Sequence, residues 1–190
     1  MENPGIAHEF TNSYIADAIR VFRMYKRLGE GALGQTPDEA LTTALDSESN
    51  SIAIIVKHMA GNMRSRWTDF LTTDGEKADR HRDTEFESPA ATRAELMGQW
   101  EVGWKCVFDA LEPLTEADLG RTVLIRNEPH SVMQAINRQV AHYAHHVGQI
   151  VFLGKHFATK AGNKWETLSV PRGQSKQFAA EAAEGKKNQR

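Results

Sequence analysis

A histidine pair separated by one helical turn is the feature of this sequence most able to do chemistry. His142 and His146 lie near the end of a segment with helical apolar periodicity. Side chains at positions i and i+4 of a helix share one face, so both imidazoles can reach one metal ion. His58 lies in the middle of a separate segment of the same kind. Three neutral imidazoles around one ion would leave a coordination position open for water or a substrate.

A helical wheel separates this pair from the histidine between them. With about 100° per residue, His142 and His146 fall on one flank of the apolar stripe, whereas His145 falls on the opposite side. We therefore expect His145 to face solvent or a partner subunit. The pair could be metal ligands or core histidines that hydrogen-bond to their neighbours, and the residues alone leave both interpretations open.

Polar residues accompany His58 on its side of the second predicted helix. Asn62, Arg66 and Asp69 share this side, which is either a solvated helix face or one wall of a polar pocket. In the second case the carboxylate and amide would orient the imidazoles and a ligand. We assign Gln149, in the segment of the pair, to the same pocket.

Four segments carry the apolar period of about 3.6 residues that predicts amphipathic helices. The first begins near Phe10 and is expected to end at the glycines at positions 29, 31 and 34, because glycine favours helix ends. The third begins with a capping-box pattern, Thr92 followed by Glu95. The second helix is predicted to run from after Ser47 to about residue 71, the third from 92 to 112, and the fourth from 131 to about 157.

The connections are long and contain few regular elements. We predict a short helix start at residues 36–39, a surface loop over 74–89 anchored by Phe86, one helical turn at 115–118 and an extended piece at Thr122–Ile125. The fold class is therefore all-α, an antiparallel four-helix bundle with long connections and an irregular C-terminal segment. We expect a single domain over residues 1–178 and a flexible tail over 179–190.

Composition narrows the functional classes. A length of 190 residues fits one domain, and a net charge of −2 gives no reason to expect a nucleic-acid partner. Cys106 is the only cysteine, so an internal disulfide is excluded and a reducing compartment is expected. The N-terminus lacks the pattern of a signal peptide, and no apolar run is long enough to span a bilayer. We expect a soluble, cytoplasmic protein without a membrane partner.

Three stretches resemble the DinB/YfiT-like metalloenzyme superfamily and, within it, the group known as domain of unknown function 1572. They are NSIAIIVKHMAGN at 50–62, HYAHHVGQI at 142–150 and LSVPRG at 168–173, and the resemblance extends over nearly the whole chain. It implies an up-down-down-up arrangement of the four helices and a homodimer. Many members carry arginine where this chain has Val147, so no substrate role of that arginine is implied here.

The resemblance also implies a metal site. In the superfamily, one histidine of the second helix and two of the last helix bind a divalent ion, and the matching residues are His58, His142 and His146. Zn²⁺ is expected first. Because three histidines suit several metals, Ni²⁺ and Fe²⁺ are alternatives.

The activities of the superfamily supply the functional hypothesis. Members include thiol-dependent enzymes such as bacillithiol S-transferases and a mycothiol-dependent maleylpyruvate isomerase. We therefore expect a metal-dependent enzyme that acts on a small molecule, by transfer of a low-molecular-weight thiol or, as the next choice, by hydrolysis. Water or a thiolate would occupy the open position of the metal. The alternative is a non-catalytic bundle, with a structural metal or none, that serves as a binding or dimerisation module.

Overall fold

The chain is mostly helical, with one small antiparallel sheet. A computed structural model describes residues 12–87 and 91–187. Within these residues there are five α-helices and two strands: α1 (Tyr14–Gln35), α2 (Ile52–Trp67), α3 (Arg93–Leu111), β1 (Thr122–Ile125), β2 (Glu128–Ser131), α4 (Val132–Lys160) and α5 (Ser175–Ala183). Three 3₁₀ turns lie between them, at Asp38–Ala40, Asp83–Phe86 and Glu116–Asp118.

A hydroxyl side chain caps the N-terminus of each long helix. Ser13, Ser51, Thr92 and Ser131 each accept a hydrogen bond from the backbone N–H three residues later. This interaction satisfies one of the N–H groups that a helix start leaves without a partner. The predicted capping box of Thr92 and Glu95 is confirmed, and α3 matches its predicted bounds to within one residue.

Helix α1 ends at Gln35, one residue after Gly34, so the predicted end is confirmed at Gly34 but wrong for Gly29 and Gly31. These two glycines lie inside the helix, where they allow close packing. A Cβ at Gly29 would lie 2.5 Å from the indole of Trp100, and one at Gly31 would lie 2.6 Å from Leu168. Phe10, the first residue of the predicted stripe, lies outside the described residues.

The structure also differs from the prediction in the bounds of α2 and in two short elements that were not predicted, β2 and α5. Helix α2 begins at Ile52 and ends at Trp67, so it is shorter at both ends than predicted. The predicted extended piece is strand β1, which pairs with the unpredicted β2. Helix α5 was also missed, and it crosses residue 178, where the sequence placed the end of the domain. The mobility of residues 179–190 stays a prediction.

The long helices pack around a shared core. Helix α2 packs against α3 and α1 against α4, and further contacts join α2 to α4 and α1 to α3. Phe22, Trp67, Trp104 and Tyr143 form an aromatic cluster in the interior, with ring centroids 5.6 to 6.3 Å apart. No helix in the described part of the chain is both long and apolar enough to span a bilayer. The α2–α4 contact is the one that can unite His58 with the histidine pair.

We expect Gly103→Ala to lower the free energy of unfolding by about 1–3 kcal/mol, since it overpacks the α2–α3 contact. A Cβ at Gly103 would lie 2.9 Å from Met63 Sδ and 3.1 Å from Ala60 Cα, and the backbone atom cannot move aside alone. Urea titration measures the change.

Gly98→Ala is the matched control on the same helix. Gly98 is exposed and has no atom within 4 Å of the added Cβ, so alanine should stabilise the protein by about 0.5–1 kcal/mol. Destabilisation of both variants to the same extent would contradict the packing argument.

Candidate metal centre

Helices α2 and α4 bring three imidazoles together at their contact. The Nε2 atom of His142 lies 3.3 Å from that of His58 and 3.1 Å from that of His146. One ring nitrogen from each histidine lies within 4.8 Å of the other two. Nitrogen ligands at zinc–nitrogen distances of about 2.0–2.1 Å in a tetrahedron are separated by about 3.3 Å. The three histidines could therefore hold a metal ion.

A buried carboxylate orients the ring of His58. Its Nδ1 lies 2.9 Å from Glu85 Oε2, and since an ionised carboxylate only accepts hydrogen bonds, Nδ1 donates and Nε2 keeps its lone pair. Arg80 in turn donates to both oxygens of Glu85, at 2.8 and 2.9 Å. Burial raises the pKa of Glu85, but the hydrogen bonds from His58 and Arg80 lower this pKa to below its ordinary value. A carboxylate behind a ligating histidine is a common feature of metal sites.

The ring of His146 is oriented in the same way by an amide. Its Nδ1 lies 2.8 Å from Gln149 Oε1, so Nδ1 donates and Nε2 again keeps its lone pair. The structure thus places Gln149, a residue predicted for the pocket, directly on His146. The Nδ1 atom of His142 is buried without a hydrogen-bond partner among the described residues.

In neutral His58 and His146 the ring proton is on Nδ1, so their Nε2 atoms carry none. Of the three Nε2 atoms that face one another, only that of His142 can carry a proton. Burial is the main cause that lowers the pKa of His142, and together with the neighbouring imidazoles and arginines it brings this pKa to about 3. Burial is also the main cause that lowers the pKa of His146, to about 4. Both rings are therefore neutral at pH 7, which is the form that binds a metal. Lone pairs that face one another at about 3 Å favour a cation between them.

Asn62 lies beside the histidines and connects the two helices. Its Oδ1 accepts a hydrogen bond from the hydroxyl of Tyr143 at 3.1 Å, and that hydroxyl accepts one from Trp67 Nε1 at 2.9 Å. Burial raises the pKa of Tyr143 far above its ordinary value, so the phenol stays neutral. This chain of hydrogen bonds fixes α4 against α2 next to His142.

The other two predicted pocket residues have different positions. Arg66 is buried and donates to the carboxylate of Glu76 with both terminal nitrogens, at 3.1 Å, and it lines a cavity beside the histidines. Asp69 is exposed in a separate groove between α2 and α3 and is not brought to the histidines. The wheel misplaced Asp69 because α2 ends at Trp67 and Asp69 has a φ of 48°.

Sequence reasoning missed the residues of the loop between α2 and α3 that support the site. Glu85 and Arg80 gave no periodic signal, whereas Phe86 was predicted to anchor the loop. The Phe86 ring lies 4.8 Å from that of His58, so the loop packs over one side of the site. His145 is exposed, as the wheel predicted.

The chain is similar to a described protein family. The model of a family described as "Protein of unknown function (DUF1572)" matches residues 9–174, a span that includes all three histidines. No curated protein matches the chain.

We expect the metal-free protein to lose stability as the pH falls from about 6.5, the ordinary histidine pKa, towards 4. The folded pKa values of His142 and His146 are about 3 and about 4. The unfolded chain therefore binds more protons than the folded chain in this interval, and the free energy of unfolding rises with pH. Urea titrations across the interval measure the slope. The double variant His142→Gln/His146→Gln should show a shallower slope, and equal slopes would refute this explanation.

Proposed function

The chain belongs to the DUF1572 family, and we propose that it binds one divalent metal ion through His58, His142 and His146 and uses it in a reaction on a small molecule. The observation that carries this proposal is the convergence of three Nε2 atoms. Two of these nitrogens have their lone pairs directed inward by hydrogen bonds on the opposite side of the ring.

We further propose that the architecture is a DinB-like four-helix bundle with up-down-down-up connections. The contacts of α1 with α4 and of α2 with α3 support it, as do the long connections between α2 and α3 and between α3 and α4. The sheet and α5 are then additions to the bundle.

The metal we propose first is Zn²⁺, with Ni²⁺ or Fe²⁺ as alternatives, since imidazole suits all three. When bound, such an ion lowers the pKa of a water or thiol and so supplies a nucleophile at neutral pH. Among the described residues, no fourth histidine, cysteine, aspartate or glutamate joins the cluster. Structural zinc sites are usually closed by four protein ligands, so three ligands favour a catalytic site over a structural one.

The protein's own contribution is to fix the ligands before the ion arrives. Glu85 holds the Nδ1–H of His58, and Arg80 holds Glu85 with two hydrogen bonds. Gln149 holds the Nδ1–H of His146. Phe86 covers the ring of His58 and excludes water from that side. A site prepared in this way binds metal without first paying the cost of ordering its side chains.

The reaction we propose first is transfer of a low-molecular-weight thiol to a small electrophile, with metal-assisted hydrolysis second. The DinB likeness supports the thiol reaction. A cavity lined by His58, His142 and His145 offers space for the substrate. A homodimer and a reducing, cytoplasmic setting complete the proposal. Phe152, which is 64% exposed on α4, supports the dimer, and Cys106, the only cysteine, supports the setting.

We expect untagged protein to carry about one metal ion per chain by elemental analysis, because the three imidazoles form one site. His58→Ala, His142→Ala and His146→Ala should each abolish the metal content. His145→Ala is the matched control, since this ring is exposed next to the pair, and it should leave the metal content intact. Glu85→Gln should keep the site but lower metal affinity by about 10- to 100-fold.

Two results would reject the metal site. The first is a metal content near zero that His142→Ala does not change. The second is loss of metal in His145→Ala with retention in His146→Ala, which would mean that His145, and not His146, is the ligand.

For the reaction, we expect the metal-loaded protein to consume a low-molecular-weight thiol in the presence of an electrophile, because the metal lowers the pKa of the thiol. Thiol loss is measured over a panel of thiols and electrophiles, with His146→Ala as the inactive control. Hydrolysis of ester or amide substrates without thiol consumption would support the second reaction. No turnover of either kind by protein that retains its metal would favour the non-catalytic alternative.

A further inference from the structure

Arginine side chains surround a cavity next to the histidine cluster. The cavity has a volume of about 450 Å³, and its lining includes His58, His142 and His145. Among the described residues, no acidic side chain lines it, whereas five guanidinium groups do: Arg66, Arg80, Arg82, Arg126 and Arg138. A volume of this size suits a small molecule.

Two of these arginines are buried and form the base of the cavity. The side chains of Arg66 and Arg80 are 6% and 5% exposed. Arg66 is fixed by Glu76 and Arg80 by Glu85. Because both side chains are held by carboxylates, the base is rigid and already ordered without a ligand.

The other three arginines are exposed and come from different elements. Arg82 follows the loop residue Arg80, Arg126 lies in the turn between β1 and β2, and Arg138 lies on α4. Arg138 has no hydrogen bond or ion pair to any described residue. Arg82 makes a 4.0 Å contact with the fully exposed Asp83, and its guanidinium carbon lies 5.0 Å from the centre of the Phe86 ring, a stacking contact that leaves its N–H donors free. These two guanidinium groups are therefore available to a ligand.

The position of Arg126 is held by an unusual turn. Arg126 and Asn127 have φ values of 56° and 62°, and the carboxylate of Asp74 accepts both of their backbone N–H groups at 2.8 and 2.7 Å. Such two-residue turns favour asparagine, aspartate or glycine at both positions. An arginine there has a conformational cost, and the turn directs its side chain to Glu76 and to the cavity.

The cavity has an excess of positive charge. Three carboxylates contact the five guanidinium groups, namely those of Glu76, Glu85 and Asp83. A fourth carboxylate, that of Asp74, lies on the backbone of Arg126 and interacts with Arg66, so one positive charge is left over. A divalent metal would add to this excess. We propose that the cavity binds a small molecule that carries two or more carboxylate or phosphate groups, which Arg82, Arg126 and Arg138 engage.

Guanidinium groups suit this role because their planar forks match carboxylate and phosphate oxygens in bidentate hydrogen bonds. This inference rests on the proposed function, since it names the substrate class of the same site. It places the charged groups of the substrate on the arginines and its reacting part beside the histidines.

The test is calorimetric titration of the metal-free protein with succinate, which carries two carboxylate groups, and with inorganic pyrophosphate, which carries two phosphate groups. Succinamide serves as the uncharged analogue. We expect the anions to bind and succinamide not to bind, and the tighter of the two anions identifies the preferred group. Arg82→Gln/Arg138→Gln should weaken anion binding at least tenfold. Arg64→Gln is the matched control, because Arg64 is an exposed arginine in the separate groove between α2 and α3.

Arg126→Gly gives an independent readout. It should weaken anion binding while leaving the urea midpoint equal or higher, because glycine adopts a positive φ without strain. If Arg126 only stabilised the fold, Arg126→Gly would instead lower the urea midpoint.

Metal content of the same proteins separates this inference from the proposed function. Loss of anion binding in Arg82→Gln/Arg138→Gln with metal content unchanged supports the inference. A wild-type protein that binds metal but neither anion overturns the inference and leaves the function standing. Anion binding without metal uptake overturns only the function. If Arg64→Gln weakens anion binding as much as the double variant does, the anions are attracted non-specifically to positive charge. That result also overturns the inference.

Discussion

The histidine cluster depends on a buried ion pair in which Arg80 holds Glu85 and Glu85 holds His58. All three side chains are almost fully removed from solvent. An ionised carboxylate in such a place needs partners for its lone pairs, because burial without them has a large desolvation cost. The guanidinium fork and the imidazole N–H provide three such hydrogen bonds. The demand for partners therefore also fixes the tautomer and the direction of the His58 ring.

The position of the buried Glu85 carboxylate also explains which residues lie next to it on α2. Gly61 lies one turn after His58, and a Cβ there would overlap the carboxylate of Glu85, so only glycine lets the loop approach α2 this closely. On the opposite side, Tyr143 joins Asn62 and Trp67 by hydrogen bonds. The loop and α4 are thus fixed to the same helix from two directions. The three imidazoles are therefore held close together, and burial keeps those of His142 and His146 neutral at pH 7.

Electrostatics links the cluster to the cavity beside it. The same Arg80 that supports Glu85 also faces the cavity, where positive charge exceeds the negative charge that contacts it. Neighbouring cations disfavour protonation of His142 and attract anions. The same arginines therefore disfavour the charged form of His142, which a metal could not bind, and attract an anionic molecule. Arg80 would then contribute both to metal binding, through Glu85, and to the selection of the substrate in the cavity.

Local regularities of the sequence predicted the four long helices and two of the three histidines of the cluster. Apolar periodicity located the four long helices, the capping box of Thr92 was visible, and the i, i+4 spacing selected His142 and His146 over His145. The family resemblance grouped His58 with this pair, whereas only the tertiary structure showed that Glu85 and Arg80 support it. His58 meets His142 across 84 positions and Glu85 across 27, and no periodic signal reports such contacts. Asp69 was misplaced because a wheel assumes that the helix continues, whereas the end of α2 is set by the packing and turns that follow it. Spacing within one helix fixes which side chains share a face, but the approach of separate elements depends on the packing of the whole chain.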